Sequence, residues 1–198
     1  MKLINKTQTI FLTVLLGAAS AVSAIPITGE IGMGGNFTAV DSSWGATGNV
    51  SATGIDFNPN LFLVNSKTGS FSTVTSATGT IQDFQFGAGT GSDLGINDGF
   101  GGVTAVSSII DFWHIDGFSF ELTSVIKLST SSATFLDLDG TGIISGNGFD
   151  ATMGTWSFTG DNIGGTFTWS AGTTAVPEPA MLALLGIGLL GFAVSRRT

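Results

Sequence analysis

Phe118-Ser119-Phe120-Glu121-Leu122-Thr123 is the stretch that decides the fold. Apolar and polar residues alternate one by one. An extended chain therefore sets Phe118, Phe120 and Leu122 on one side and Ser119, Glu121 and Thr123 on the other, which is the pattern of a half-buried β-strand. The alternation returns at Thr155-Trp156-Ser157-Phe158-Thr159 and at Thr166-Phe167-Thr168-Trp169-Ser170, with a Gly- and Asn-containing link between them. These two segments read as a hairpin in which Trp156 and Phe158 share a face with Phe167 and Trp169. Cross-strand aromatic pairs of this kind add roughly 0.2–1 kcal/mol each. Ordinary core packing is the preferred reading of these rings over a sugar-stacking platform.

Working outward, two runs are apolar on both faces. They are Leu61-Phe62-Leu63-Val64 and Ile109-Ile110-Asp111-Phe112-Trp113, and both are predicted as central strands. Further strands are predicted at residues 25–31, 36–40, 70–75, 80–86, 134–138 and 142–145. No apolar period of 3.6 persists over a dozen residues between positions 25 and 175, so no helix is predicted there. About ten short strands with Gly, Asn and Asp between them predict an all-β domain, an antiparallel sandwich or jelly roll. Residues 87–102, GAGTGSDLGINDGFGG, hold seven glycines and are predicted as a mobile loop. Gly89, Gly91 and Asp93 loosely resemble the calcium-binding repeat of RTX solenoids. A solenoid needs stacked copies, and this is a single one.

The chain has 198 residues and no cysteine, so it has no disulfide framework, thiolate metal site or Cys nucleophile. Both ends differ in composition from the middle. Lys2 and Lys6 precede an apolar run at residues 10–22, and Val22-Ser23-Ala24 supplies small residues for cleavage. Residues 1–24 therefore read as a signal peptide, cut by signal peptidase after Ala24. Residues 25–175 form the predicted exported domain. It carries thirteen of the chain's 14 acids against Lys67 and Lys127, a net charge of −11. Such a surface argues against nucleic acid as a partner, because a nucleic-acid footprint is basic.

At the other end stands Val176-Pro177-Glu178-Pro179, then AMLALLGIGLLGFAV at residues 180–194, then Ser195-Arg196-Arg197-Thr198. The two prolines fix φ and stiffen the tetrapeptide around Glu178. Residues 180–194 contain no charge and predict a short transmembrane helix. Fifteen residues rise about 22 Å, against a hydrocarbon core near 30 Å, so the span reads as a transient anchor. Arg196 and Arg197 would keep the C-terminus in the cytoplasm. Residues 171–175 read as a flexible spacer. The ordered series of rigid acidic tetrapeptide, Gly-studded apolar run and arginine pair resembles the PEP-CTERM sorting signal of exopolysaccharide-producing Gram-negative bacteria. The resemblance covers residues 176–198. It implies processing by an exosortase, a membrane-embedded transpeptidase-like enzyme, and delivery to the cell surface or extracellular matrix. Val176, Pro177, Glu178 and Pro179 would then be the recognition site.

Other candidate chemistry is sparse. Asp137-Leu138-Asp139-Gly140 sets two carboxylates two residues apart before a glycine, so Asp137 and Asp139 could ligate calcium. An Asp-Gly turn is the plainer reading, and no cofactor is otherwise expected. Asp111, Asp116, Glu121, Asp137 and Asp139 could supply the carboxylate pair of a glycosidase, but nothing in the sequence brings two of them across a cleft. His114 stands alone as the single histidine, which is too few for the usual zinc hydrolase site. Asn36-Phe37-Thr38 and Asn49-Val50-Ser51 match the glycosylation acceptor pattern and read as incidental. The expectation is a non-enzymatic structural or interaction protein of the cell surface or exopolysaccharide matrix. The alternative is a carbohydrate-binding module using Trp44, Trp113, Trp156 or Trp169, and a secreted glycoside hydrolase ranks third.

Overall fold

The computed structural model describes residues 25–91, 93–161 and 166–173. The described part is all-β apart from one 3-10 turn. Its strands are β1 (Gly29–Val40), β2 (Gly54–Phe57), β3 (Leu61–Lys67), β4 (Thr78–Ile81), β5 (Phe84–Gln85), β6 (Thr90–Gly91), β7 (Gly95–Asn97), β8 (Val103–Ala105), β9 (Ile109–Ile115), β10 (Phe118–Lys127), β11 (Phe135–Gly146), β12 (Phe149–Asp161) and β13 (Thr166–Thr173).

The long strands pair antiparallel in the order β13-β12-β11-β10-β9-β4-β3-β1, and β1 pairs again with β13. The circuit closes into an eight-stranded barrel rather than the expected sandwich or jelly roll. Closure removes the open edges that a flat sheet of this length would expose. After Asn36, β1 leaves the ring. Its Phe37–Val40 stretch pairs with β2 and starts a small branch continuing through β5, β7 and β8.

The alternation at Phe118, Phe120 and Leu122 is borne out, and all three are fully buried. The predicted hairpin is also present, with Phe158 opposite Trp169 and Trp156 opposite Ala171. Trp113 is the hub of the interior. It stacks on Phe120 at 5.7 Å between centroids and meets Phe62 edge-on at 6.3 Å. Phe71 closes one end of the barrel, 5.0 Å from Phe118 and 6.4 Å from Trp113.

Several elements depart from the sequence reading, each for a physical reason. Of the predicted strands 25–31 and 36–40, residues 29–31 and 36–40 merge into β1, while 25–28 precede it; 135–138 and 142–145 merge into β11. Residues 80–86 break at Gln82-Asp83 into β4 and β5. Residues 70–75 form no strand, because the 3-10 turn Gly69–Thr73 buries Phe71 and the following Val74 on one side. Residues 171–173 of the expected flexible spacer belong to β13 and are paired on both flanks, and 174–175 lie outside the described residues. The Gly-rich stretch at 87–102 contains β6 and β7 and leads into β8.

Leu61 and Leu63 are exposed, so β3 buries one face only, through Phe62. In β9 the register slips opposite Phe120 and Leu122, and Asp111 takes a left-handed φ of 54°. That bulge turns the chain so that Phe112 and Trp113, adjacent in sequence, are both fully buried. Gln82 Nε2 secures it by donating to the carbonyls of Ile110 and Asp111 at 2.9 and 2.7 Å.

Candidate functional site

The barrel has two unlike rims. One carries the starts of β1, β10 and β12 and the ends of β3, β9, β11 and β13. At this rim Gly29 pairs with Thr173, and Asp150 N donates to Ile25 O at 3.0 Å. Both described ends of the chain therefore lie towards the same rim. The opposite rim carries the branch β2-β5-β7-β8 and the longer connections.

An open cleft of about 410 Å³ lies on that opposite rim, lined by Asn60, Ile81, Gln82, Asp83, Ile96 and Asn97. The break between β4 and β5 builds its centre. Asp83 Oδ1 accepts from Phe57 N at 2.8 Å and from Asn60 Nδ2 at 2.7 Å, which leaves Oδ2 with no partner among the described residues. Burial pushes the Asp83 carboxyl above its ordinary pKa, and the Asp56 charge adds to this against the lowering effect of its hydrogen bonds. The cleft thus combines one half-buried carboxylate with three amide side chains and two isoleucines. It can accept hydroxyl donors. Sequence reasoning missed it, because its residues come from three separated segments and none forms a motif.

The β7–β8 hairpin beside it is tightly built. Asp98 Oδ1 accepts from Phe100 N and Gly102 N at 2.7 and 2.9 Å, and these bonds hold its carboxyl below the usual range. Trp44 Nε1 donates to Gly102 O at 2.9 Å. Phe100 at the tip is 96% exposed.

The sequence-predicted residues fall elsewhere. Asp137 and Asp139 sit within β11, opposite Thr159 and Ser157 of β12. Neither is in a turn. Gly140 is a strand residue, and a Cβ there would stand 2.3 Å from Trp156 Nε1. Glycine at this position lets the indole lie against the backbone. Among the described residues no three His, Cys, Asp or Glu side chains gather as a metal site.

Trp113 and Trp156 are 0% and 2% exposed, so neither can stack on a sugar. Trp44 is half-buried, and the Trp169 side chain lies outside what is described. Asp116 is held by the Ser76 hydroxyl, Ser76 N at 2.8 Å and Thr75 N at 2.6 Å. These bonds, those to Ser76 foremost, draw its carboxyl far below the usual range. Glu121 accepts from the Ser108 hydroxyl, and His114 Nδ1 lies 3.4 Å from Asp111. Asn49 is fully buried, so its acceptor pattern is closed to modification in the folded chain, while Asn36 is exposed.

Residues 1–24, Val176 to Pro179, the predicted span at 180–194, Arg196 and Arg197 all lie outside the described residues. Among the described residues no helix is long and apolar enough to cross a membrane.

A barrel whose chain runs on from its last strand into an apolar, arginine-ended tail has the layout of a folded domain with a C-terminal targeting segment. Residues 175–197 match the family model of the PEP-CTERM protein-sorting motif. The chain therefore carries that signal, over about an eighth of its length. No curated protein and no solved structure matches the chain.

Proposed function

We propose that this chain is an exported exosortase substrate that serves a non-enzymatic structural or interaction role at the cell surface or in the exopolysaccharide matrix. Signal peptidase removes residues 1–24. The segment 180–194 then holds the precursor in the inner membrane, with Arg196 and Arg197 on the cytoplasmic side, until the enzyme acts at Val176–Pro179. The match over residues 175–197, starting two residues beyond the last barrel strand, carries this reading. Among the described residues the barrel interior is packed with Phe and Trp rings, which supports a structural role.

Mass spectrometry of both termini of the protein recovered from producing cells tests it. The expected product begins at Ile25 and ends within or just after Val176–Pro179. A cytosolic form retaining Met1 and Thr198 would overturn the proposal.

The cleft at Asn60 and Asp83 favours a second reading, carbohydrate binding without an aromatic platform. Calcium at Asp137 and Asp139 remains part of that reading as a surface ligand pair on β11. Glycan-array binding by the released protein, with and without calcium, separates these from the purely structural role.

A further inference from the structure

We propose that in the membrane-held precursor the rim bearing the chain ends faces the bilayer and the processing enzyme, while the rim bearing the cleft faces away. The inference rests on the sorting reading and adds an orientation to it. Its first support is the exit point. Thr173 is paired with Gly29 on one side and Gly154 on the other, so the chain is held by hydrogen bonds up to the last described residue. The matched sorting motif begins two residues later, at Ala175.

The second support is length. From Thr173 to Ala180, where the apolar run begins, seven residues reach at most about 25 Å, and Pro177 and Pro179 restrict how they bend. The barrel wall is of similar height. Strand β13, along which the tether would have to return, has 8 residues, which at about 3.4 Å each and a barrel tilt near 40° gives roughly 20 Å from Thr173 to the cleft rim. Turning the cleft rim towards the membrane would require the tether to run back along that strand and spend most of its reach. With the exit rim down, the same residues suffice without strain.

The exit rim is held near the bilayer without entering it. Glu30 and Asp150 are exposed there, and anionic headgroups repel carboxylates. Meanwhile the cleft, Phe100 and the β7–β8 hairpin point into the surroundings, where a ligand or matrix partner would be met.

The chain has no cysteine, so single reporters are straightforward. Ser72→Cys marks the exit rim and Ser129→Cys the cleft rim. Both serines are exposed, and the change is nearly isosteric. Each full-length variant is expressed in a host without the processing enzyme and purified from membranes. It is then labelled with a donor dye and placed in phosphatidylethanolamine–phosphatidylglycerol vesicles containing an acceptor lipid. Energy transfer should be several-fold stronger from position 72 than from 129. Inserting twelve Gly/Ser residues after Thr174 should shrink that difference. Equal or reversed transfer overturns the orientation, and a difference that survives the insertion overturns the tether as its cause. No transfer from either position, with the protein failing to associate with vesicles, overturns the anchoring reading itself.

Discussion

The two ends of this barrel are closed by different means. At the exit rim, β9 and β10 are joined by Asp116-Gly117 and β11 and β12 by Asn147-Gly148. All four residues take left-handed φ, at 44°, 81°, 53° and 77°. These are type I′ geometries, the tightest way to reverse a twisted strand pair. Asn147 Nδ2 donates to Asp116 O at 2.9 Å and ties the two turns together. Phe71 seals the interior behind them. At the cleft rim the chain makes long excursions instead, from β4 out through β5 to β8 and back to β9. There Lys127 stands in for a tight turn, its ammonium donating to the carbonyls of Asn49, Val50 and Ala52 at 2.8, 2.9 and 3.2 Å. One end is specified by turn chemistry, and the other is an elaborated surface gathered around a cation. Elaborated loops on a rigid scaffold are where binding is usually placed.

Substitutions can break or sharpen that contrast. Phe71→Ala should strike hardest, costing about 3–5 kcal/mol because it empties a fully buried aromatic site. Urea denaturation measures it, and a loss under 1 kcal/mol would mean the exit rim is not sealed as described. Lys127→Met should cost about 1–3 kcal/mol, since three carbonyls lose a charged donor. A loss as large as that of Phe71→Ala would erase the distinction between the rims.

Asp116→Asn addresses the exit rim through pH. The folded carboxyl is depressed by its bonds to Ser76 and Thr75, so its contribution is fully present above the unfolded pKa near 4 and fades as pH falls further. The variant should be less stable at neutral pH and should show a shallower acid limb in denaturation midpoints taken from pH 6 to 2. An unchanged limb would remove Asp116 from the account. Phe100→Ser, at the exposed hairpin tip, should change stability by no more than about 0.5 kcal/mol. A thermal shift well beyond that would show the tip packing on something.

Legibility divides along the same line. The walls were readable from Phe118–Leu122 and Trp156–Phe158, because period-2 alternation is a local property of an extended chain. The exit-rim turns were equally available in Asp116-Gly117 and Asn147-Gly148, the strongest short-range hairpin signal. Read for composition alone, they count only as ordinary Gly/Asn/Asp turns. Local pattern misled where tertiary contacts chose the conformation. Asp111 absorbs a bulge so that Phe112 and Trp113 both turn inward. Gly140 sits mid-strand beneath an indole, although Asp-Gly in isolation suggests a turn. The cleft had no sequence signal, because Asn60, Asp83 and Asn97 meet only after three connections fold over one rim.

From sequence alone follow the strand-rich, helix-free middle, the acidic charge, the lack of cysteine and the sorting tail. Each depends on residues close together in the chain. Tertiary structure decided that the sheet closes, since Gly29 and Thr173 pair across the whole domain and no local pattern encodes a partner so distant. That single pairing turns a set of alternating strands into a barrel, and it brings both described ends of the chain towards one rim.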